Sequence, residues 1–363
     1  MKIQDLNLKF NPFKDLTPEI TDTSLVWGGM EEVKSKLQKS YNDCIKNNSK
    51  QIILNWGPYG GGKTFSSYYF SHKEAKTDNL THIYIRSPKN GAKATDEFFK
   101  SIIDKITFEV ISEQVKSIIK KNGEKALIEY LTPKSTREFA KAICLAGSED
   151  VEITEIISRF FYTGITLTEL KKLGLAKKIQ TDNDRVKILA GILSCFTGRN
   201  DIIDGRVILW VDEMEDLIYY SPKYYKAFSQ ILRDLYDSIP DRFLSFMNFT
   251  LAEGQENTIE LILGGALWSR ITKKIRYKEF ANEDALKYCN DLLDAAKIKA
   301  AIQKPFKTEI LNELITNIPN DNLTPREINR HISSLFSYCI EHNYDLINQD
   351  VFNDWAKEFM EDN

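Results

Sequence analysis

The sequence predicts an α/β fold in which apolar strands alternate with helices around a phosphate-binding loop, and three observations predict it. The run Gln51-Ile-Ile-Leu-Asn-Trp56 leads into Gly57-Pro-Tyr-Gly-Gly-Gly-Lys63-Thr64, a GxxxxGK[ST] pattern, and a helical stretch opens at Phe65. A second apolar strand, Arg206-Val-Ile-Leu-Trp-Val-Asp212-Glu213, ends in two acids. Further strand-length apolar runs near 81–87, 243–250 and 273–280 are separated by stretches of helical spacing.

Each element has a local reason. Residues 1–50 form an entry arm followed by a helix from Met30 to Asn47. In the loop, glycines let backbone N–H groups turn inward around phosphates, and the following helix N-terminus adds a favourable dipole. Gly57, Pro58, Tyr59, Gly60, Gly61, Gly62, Lys63 and Thr64 are therefore the candidate ATP-binding residues, with Lys63 reaching the β- and γ-phosphates. The Thr64 hydroxyl is a candidate Mg²⁺ ligand, and Asp212 holds the same ion through water. Glu213 is the candidate that polarises an attacking water, while Glu215 and Asp216 read as a solvated helix start.

The next strand, Phe243 to Thr250, follows a helix-like stretch from Tyr224 to Asp237 and ends beside the Asp212 strand in a parallel sheet. A polar residue there orients the hydrolytic water; Asn248 and Thr250 both qualify. Arg270, just before the last strand, is placed to project across a subunit interface as a finger supplied in trans. Leu323-Thr-Pro-Arg326-Glu-Ile opens a late helix with Thr324 as N-cap and Pro325 at its first position. Arg326, in that first turn, works against the helix dipole, which points to a ligand role.

Composition narrows the partners. The 363 residues carry 49 Lys plus Arg and 52 Asp plus Glu, a formal net charge of −3, which excludes coating nucleic acid by bulk charge. Contact with DNA then falls to local basic patches, 171–178 and 270–278, or to an assembled oligomer. The opening residues lack the apolar core of a signal peptide, and no apolar run approaches the ~20 residues of a membrane helix. Five scattered cysteines without CxxC pairing read as free thiols in a reducing cytoplasm, and the expected location is cytoplasmic.

Phosphate loop, acidic strand, polar strand end, late Arg and helical Arg occur here in the order found in AAA+ ATPases, which the chain resembles from roughly Asn11 to Met360, one insertion apart. The resemblance implies a five-stranded parallel sheet flanked by helices, with a C-terminal helical lid. It matches Lys63 and Thr64 to Walker A and Asp212 with Glu213 to Walker B. Asn248 or Thr250 matches sensor 1, Arg270 the arginine finger and Arg326 sensor 2. Asn11-Pro-Phe13, the stretch Val26-Trp-Gly-Gly-Met-Glu-Glu32 and the Pro-Arg-Glu-Ile-Asn-Arg run are similar to the branch of origin-recognition, general-secretion and transposon target-selection ATPases. In that branch the 26–32 stretch lies against the adenine. Initiator members carry a winged-helix domain after the lid; about 37 residues follow Arg326, too few for one, so direct origin recognition is not expected.

The implied organisation is an N-terminal arm and helix at 1–50, an ATPase core at 51–280 with a helical insertion at about 107–185, and a lid at 281–363. The stretch 88–205 is longer than a crossover needs and reads as helices broken at Asn122-Gly123, Pro133 and Gly147. It suggests a partner-binding appendage, with Lys171, Lys172, Lys177 and Lys178 beside Phe160, Phe161 and Tyr162. The expected function is an ATP-hydrolysing homo- or hetero-oligomer with nucleotide at subunit interfaces, acting with DNA in a mobile element or antiviral defence. The alternative is an ATP-dependent switch that assembles with a protein effector without binding DNA. A membrane-associated secretion role ranks last.

Overall fold

The computed structural model describes residues 2–13, 25–73, 77, 79–251, 256–299, 305–306, 308–319 and 322–361. In chain order the elements are α1 (Glu31–Asn47), β1 (Gln51–Gly57), α2 (Lys63–Lys73) and β2 (Leu80–Arg86). Seven helices follow: α3 (Ala94–Ile106), α4 (Phe108–Asn122), α5 (Glu124–Leu131), α6 (Arg137–Leu145), α7 (Val151–Tyr162), α8 (Leu167–Lys172) and α9 (Asp182–Ser194). Then come β3 (Gly198–Arg199), β4 (Asp204–Asp212), α10 (Pro222–Ser238), β5 (Phe243–Thr250), α11 (Glu256–Trp268) and β6 (Ile271–Arg276). The chain closes with α12 (Asn282–Ala296), α13 (Thr308–Asn317), α14 (Pro325–His342) and α15 (Gln349–Glu361). Within the expected lid stretch 281–363, α12 ends at Ala296 with Lys297 as its C-cap.

Two compact units divide the chain, each discontinuous in sequence. One, the loop unit, takes Met1–Ser35, Gly57–Glu74 and Arg276–Asn363; the other, the sheet unit, takes Lys36–Trp56 and Ala75–Ile275.

The sheet order is β2-β4-β5-β1-β6, with β3 paired to β4 alone. The β2–β4 and β4–β5 ladders are parallel, the first running from Leu80 opposite Arg206 to Arg86 opposite Asp212. Six strands replace the five expected, because β3 adds an antiparallel pair, Gly198 with Gly205 and Arg199 with Asp204. Two residues show no periodicity, so nothing in the sequence marks them. The last strand also stops at Arg276, short of the expected Phe280.

Near-continuous apolar runs in β4 and β5 are what a strand buried on both faces requires. Trp210 stacks on Phe246 with ring centres 3.8 Å apart, and its Nε1–H donates to the Tyr41 hydroxyl at 3.0 Å. The core continues into α3–α9, where Phe98, Ile102 and Ile103 on α3 join Ile143, Ile157 and Leu189. Five of these seven helices, α4 and α6–α9, are capped at their start by a side chain. Thr107, Thr136, Asp150, Thr166 and Thr181 accept first-turn N–H bonds, and Glu169 and Asp184 complete capping boxes. Each such cap contributes about 1 kcal/mol.

The loop unit has its own core, formed by α12–α15 with Leu6, Leu8 and Phe13 of the entry arm. Asn11 Nδ2 donates to Ser333 Oγ at 2.9 Å, and Phe13 packs edge-on against Phe336. Among the described residues no helix is long and apolar enough to cross a membrane.

Candidate functional site

Within the loop unit, the 57–64 segment is shaped by backbone that only glycine tolerates. Gly60 has φ +75°, and a Cβ there would lie 2.6 Å from Arg326 Cβ. At Gly57 a Cβ would lie 2.1 Å from the Tyr277 carbonyl oxygen. Lys63 opens α2, and its buried ammonium donates to the Gly57 and Pro58 carbonyls at 3.0 and 2.8 Å. Ser66 Oγ, one turn on, donates to Gly62 O at 2.8 Å and accepts from the Tyr277 hydroxyl at 2.9 Å. Loop and first turn are thus braced from inside the unit.

Thr324 caps α14 as expected, accepting from the Glu327 N–H, and Pro325 occupies the first helical position. This start meets the loop directly. Arg326 N–H donates to Gly60 O at 3.4 Å, and the Arg326 guanidinium carbon lies 4.1 Å from the centre of the Tyr59 ring. The 26–32 stretch also packs here: Trp27 lies against Phe65, Tyr69 and Phe70 of α2, and its Nε1–H donates to Gly29 O at 2.8 Å.

Within the sheet unit, Asp212, Glu213 and Asn248 come together at the ends of adjacent strands. The buried Asp212 carboxylate accepts from the Tyr84 hydroxyl at 2.8 Å, the Glu213 N–H at 3.0 Å and Asn248 Nδ2 at 3.2 Å. Asn248 Oδ1 in turn accepts from Asn55 Nδ2 at 3.0 Å, so one hydrogen-bonded chain crosses β1, β5, β4 and β2. Asn55 Oδ1 is buried and has no hydrogen-bond partner among the described residues. A buried carboxylate with this many donors is held in one orientation.

Glu213 sits in the left-handed region, φ 58° and ψ 36°, uncommon outside glycine and a conformation that clusters at functional positions. Its carboxylate faces Arg86 Nε at 3.5 Å, and both side chains are substantially exposed. Thr250, the other strand-end candidate, instead ties its N–H to Glu215 Oε2 at 2.9 Å. Glu215 is therefore a brace between the 3-10 turn after β4 and the end of β5, not only a solvated acid.

Arg270 is engaged elsewhere in the sheet unit. Its Nε and Nη2 grip Asp237 at 2.7 and 2.6 Å, and Nη1 donates to Ala266 O at 2.6 Å. Hydrogen bonding from Arg270 holds the Asp237 carboxyl below the usual carboxylate range. In the insertion, Phe160 and Phe161 are core residues, while Lys172 pairs with Glu152 and Lys177 with Asp184. Lys274 lies over Trp268 at 3.6 Å, and Lys273 pairs with Asp43 at 3.2 Å. Sequence reasoning missed Asn55, Tyr84 and Arg86. Asn55 was visible as a lone amide in an apolar run, but Arg86 is tied to the site only by the β2–β4 register.

No protein-family model matches the chain, and no curated protein matches it. Solved structures do. The ORC2 protein of Aeropyrum pernix in ADPNP–ADP complexes superposes with a TM-score of 0.53 at 10% identity, covering 93% of this chain and 71% of that one. Drosophila ORC bound to DNA superposes with a TM-score of 0.50 at 9% identity, covering 98% of this chain and 64% of that one. At such identities the likeness is one of architecture: this chain shares the fold of these ORC proteins.

Proposed function

We propose that this chain binds ATP with Mg²⁺ at the 57–64 loop and hydrolyses it, as an oligomer that couples turnover to nucleic-acid-associated work such as mobile-element or antiviral function. The observation that carries the reading is the loop itself: Gly57 and Gly60, whose positions admit no Cβ, in a loop ending in Lys63 at the first position of α2. The donor chemistry fits the group. Loop N–H groups and Lys63 suit phosphates, and the Thr64 hydroxyl and Asp212 carboxylate are hard oxygen donors suited to Mg²⁺. Bound Mg²⁺ supplies charge neutralisation of the phosphates. Glu213 is the group that takes the proton of an attacking water, and Asn248 orients that water while fixing Asp212. Arg326 stands at the loop as an additional cation, and Arg270 acts in trans once it exchanges Asp237 for a neighbour's phosphate. A DNA-bound neighbour of the same fold supports the nucleic-acid part by analogy alone.

Lys63→Ala is expected to abolish ATP binding, measured by equilibrium binding of a fluorescent analogue, with the circular dichroism unchanged. Normal binding by that variant would sink the phosphate-loop assignment. Glu213→Gln should retain ATP while turnover drops roughly 10²-fold or more; undiminished phosphate release would remove Glu213 from the chemistry.

A second reading, the ATP-dependent switch with a protein effector, has observations of its own. Glu213 is paired to Arg86, Arg270 is clamped by Asp237, and several lysines of the two basic stretches are neutralised within the chain. Slow basal hydrolysis and weak phosphate-backbone contact follow from that arrangement.

A further inference from the structure

Tyr59 stands in the glycine loop with 71% of its surface exposed, so burial of the ring does not account for an aromatic there. The ring lies 4.1 Å from the Arg326 guanidinium carbon. The stack is set by backbone: Arg326 N–H donates to Gly60 O at 3.4 Å, and the absent Cβ of Gly60 leaves the room that Arg326 Cβ fills. Arg330, one turn along α14, pairs with Glu327 at 2.9 Å. The Arg326 side chain, by contrast, makes no hydrogen bond or ion pair among the described residues. A guanidinium held over an aromatic ring by cation–π attraction gives up no hydrogen bond to do so and keeps its five N–H donors.

We infer that Tyr59 is a positioning residue, an aromatic rest that holds Arg326 beside the phosphate loop with its donors open to the terminal phosphate of a nucleoside triphosphate. The inference rests on the phosphate-loop reading proposed above. Loop N–H groups serve the phosphates that ADP and ATP share; a further cation beyond Lys63 responds to the extra charge of the third phosphate. Stacking pre-orders a side chain that otherwise loses rotamer freedom when it binds. Tyr59 therefore tunes discrimination between ATP and ADP and touches no reacting atom.

The test is the dissociation constants for ATP and ADP, each with Mg²⁺, of wild type, Tyr59→Ala, Tyr59→Phe, Arg326→Ala and the Tyr59→Ala/Arg326→Ala double variant. Tyr59→Ala should weaken ATP about two- to five-fold, the factor to which ~0.5–1 kcal/mol of exposed cation–π energy corresponds. ADP affinity should weaken less than ATP affinity. Tyr59→Phe should bind like wild type, and the double variant should bind like Arg326→Ala alone. Unchanged ATP affinity in Tyr59→Ala, equal weakening of ATP and ADP, failure of Phe to rescue, or additive losses in the double variant would each overturn the inference while leaving the loop assignment intact. Wild-type protein that binds no nucleotide, indistinguishable from Lys63→Ala, would overturn the phosphate-loop reading and this inference with it.

Discussion

His82 is a residue of the sheet unit whose protonation is displaced by burial. It lies on β2 against the Tyr41 ring, and both ring nitrogens are buried without a hydrogen-bond partner among the described residues. Burial disfavours the imidazolium and pulls the pKa down to about 4 from 6.5. The folded protein thus keeps His82 neutral where the unfolded chain has already taken up a proton. The stability contributed is complete above pH 6.5 and is lost as pH falls from 6.5 towards 4, by at most about 3 kcal/mol. Urea midpoints at pH 7 and pH 4.5 should show the drop in wild type and a smaller one in His82→Phe; equal drops would assign the acid sensitivity to other groups. Glu213 shows the same kind of local cost in its backbone, a left-handed φ at the end of the acidic strand, where strain is most often retained for a purpose.

At the scale of elements, the hydrogen-bonded chain from Asn55 through Asn248 and Asp212 to Tyr84 links four strands by their side chains. Asn248→Ala removes its middle member and leaves Asn55 and Asp212 each short of a partner in a buried place. That should lower unfolding stability by about 1–3 kcal/mol and cut ATP turnover more than ATP binding; a calorimetric scan and parallel binding and phosphate-release assays check both. Unaltered stability would show that water takes over both bonds. Much of this architecture was legible. Glycines, Lys63 and the acidic strand carry their chemistry in residue type, and the breaks at Asn122-Gly123, Pro133 and Gly147 separate helices of the insertion. The choice between Asn248 and Thr250 was not legible, because residues two apart on a strand share a face and both are polar. Only the depth at which each ends up, Asn248 fully buried and Thr250 at the rim, separates them. Nor could spacing show that Arg270 grips Asp237, since an exposed Arg before a strand reads the same whether its carboxylate belongs to its own chain or to a neighbour.

For the whole molecule, the question is how a chain of net charge −3 meets a polyanion. Lys172, Lys177 and Lys273 are paired within the chain, which reduces the cationic surface of the two basic stretches. If the assembled form acts on DNA, DNA should raise the ATPase rate, and the stimulation should fall steeply between roughly 50 and 200 mM salt. Light scattering with ATP, with and without DNA, on wild type and Glu213→Gln, should show assembly that requires ATP. Assembly with ATP and no effect of DNA at low salt would select the effector-bound switch. The interleaving of the two units in sequence has a further consequence, one of order in time. Residues 36–275 contain the whole sheet unit, whereas the glycine loop, made early, waits for α14 to bring Arg326 to Gly60 from far downstream. During synthesis the sheet unit can close on itself first, and the phosphate loop acquires its last wall only when almost all of this sequence has left the ribosome.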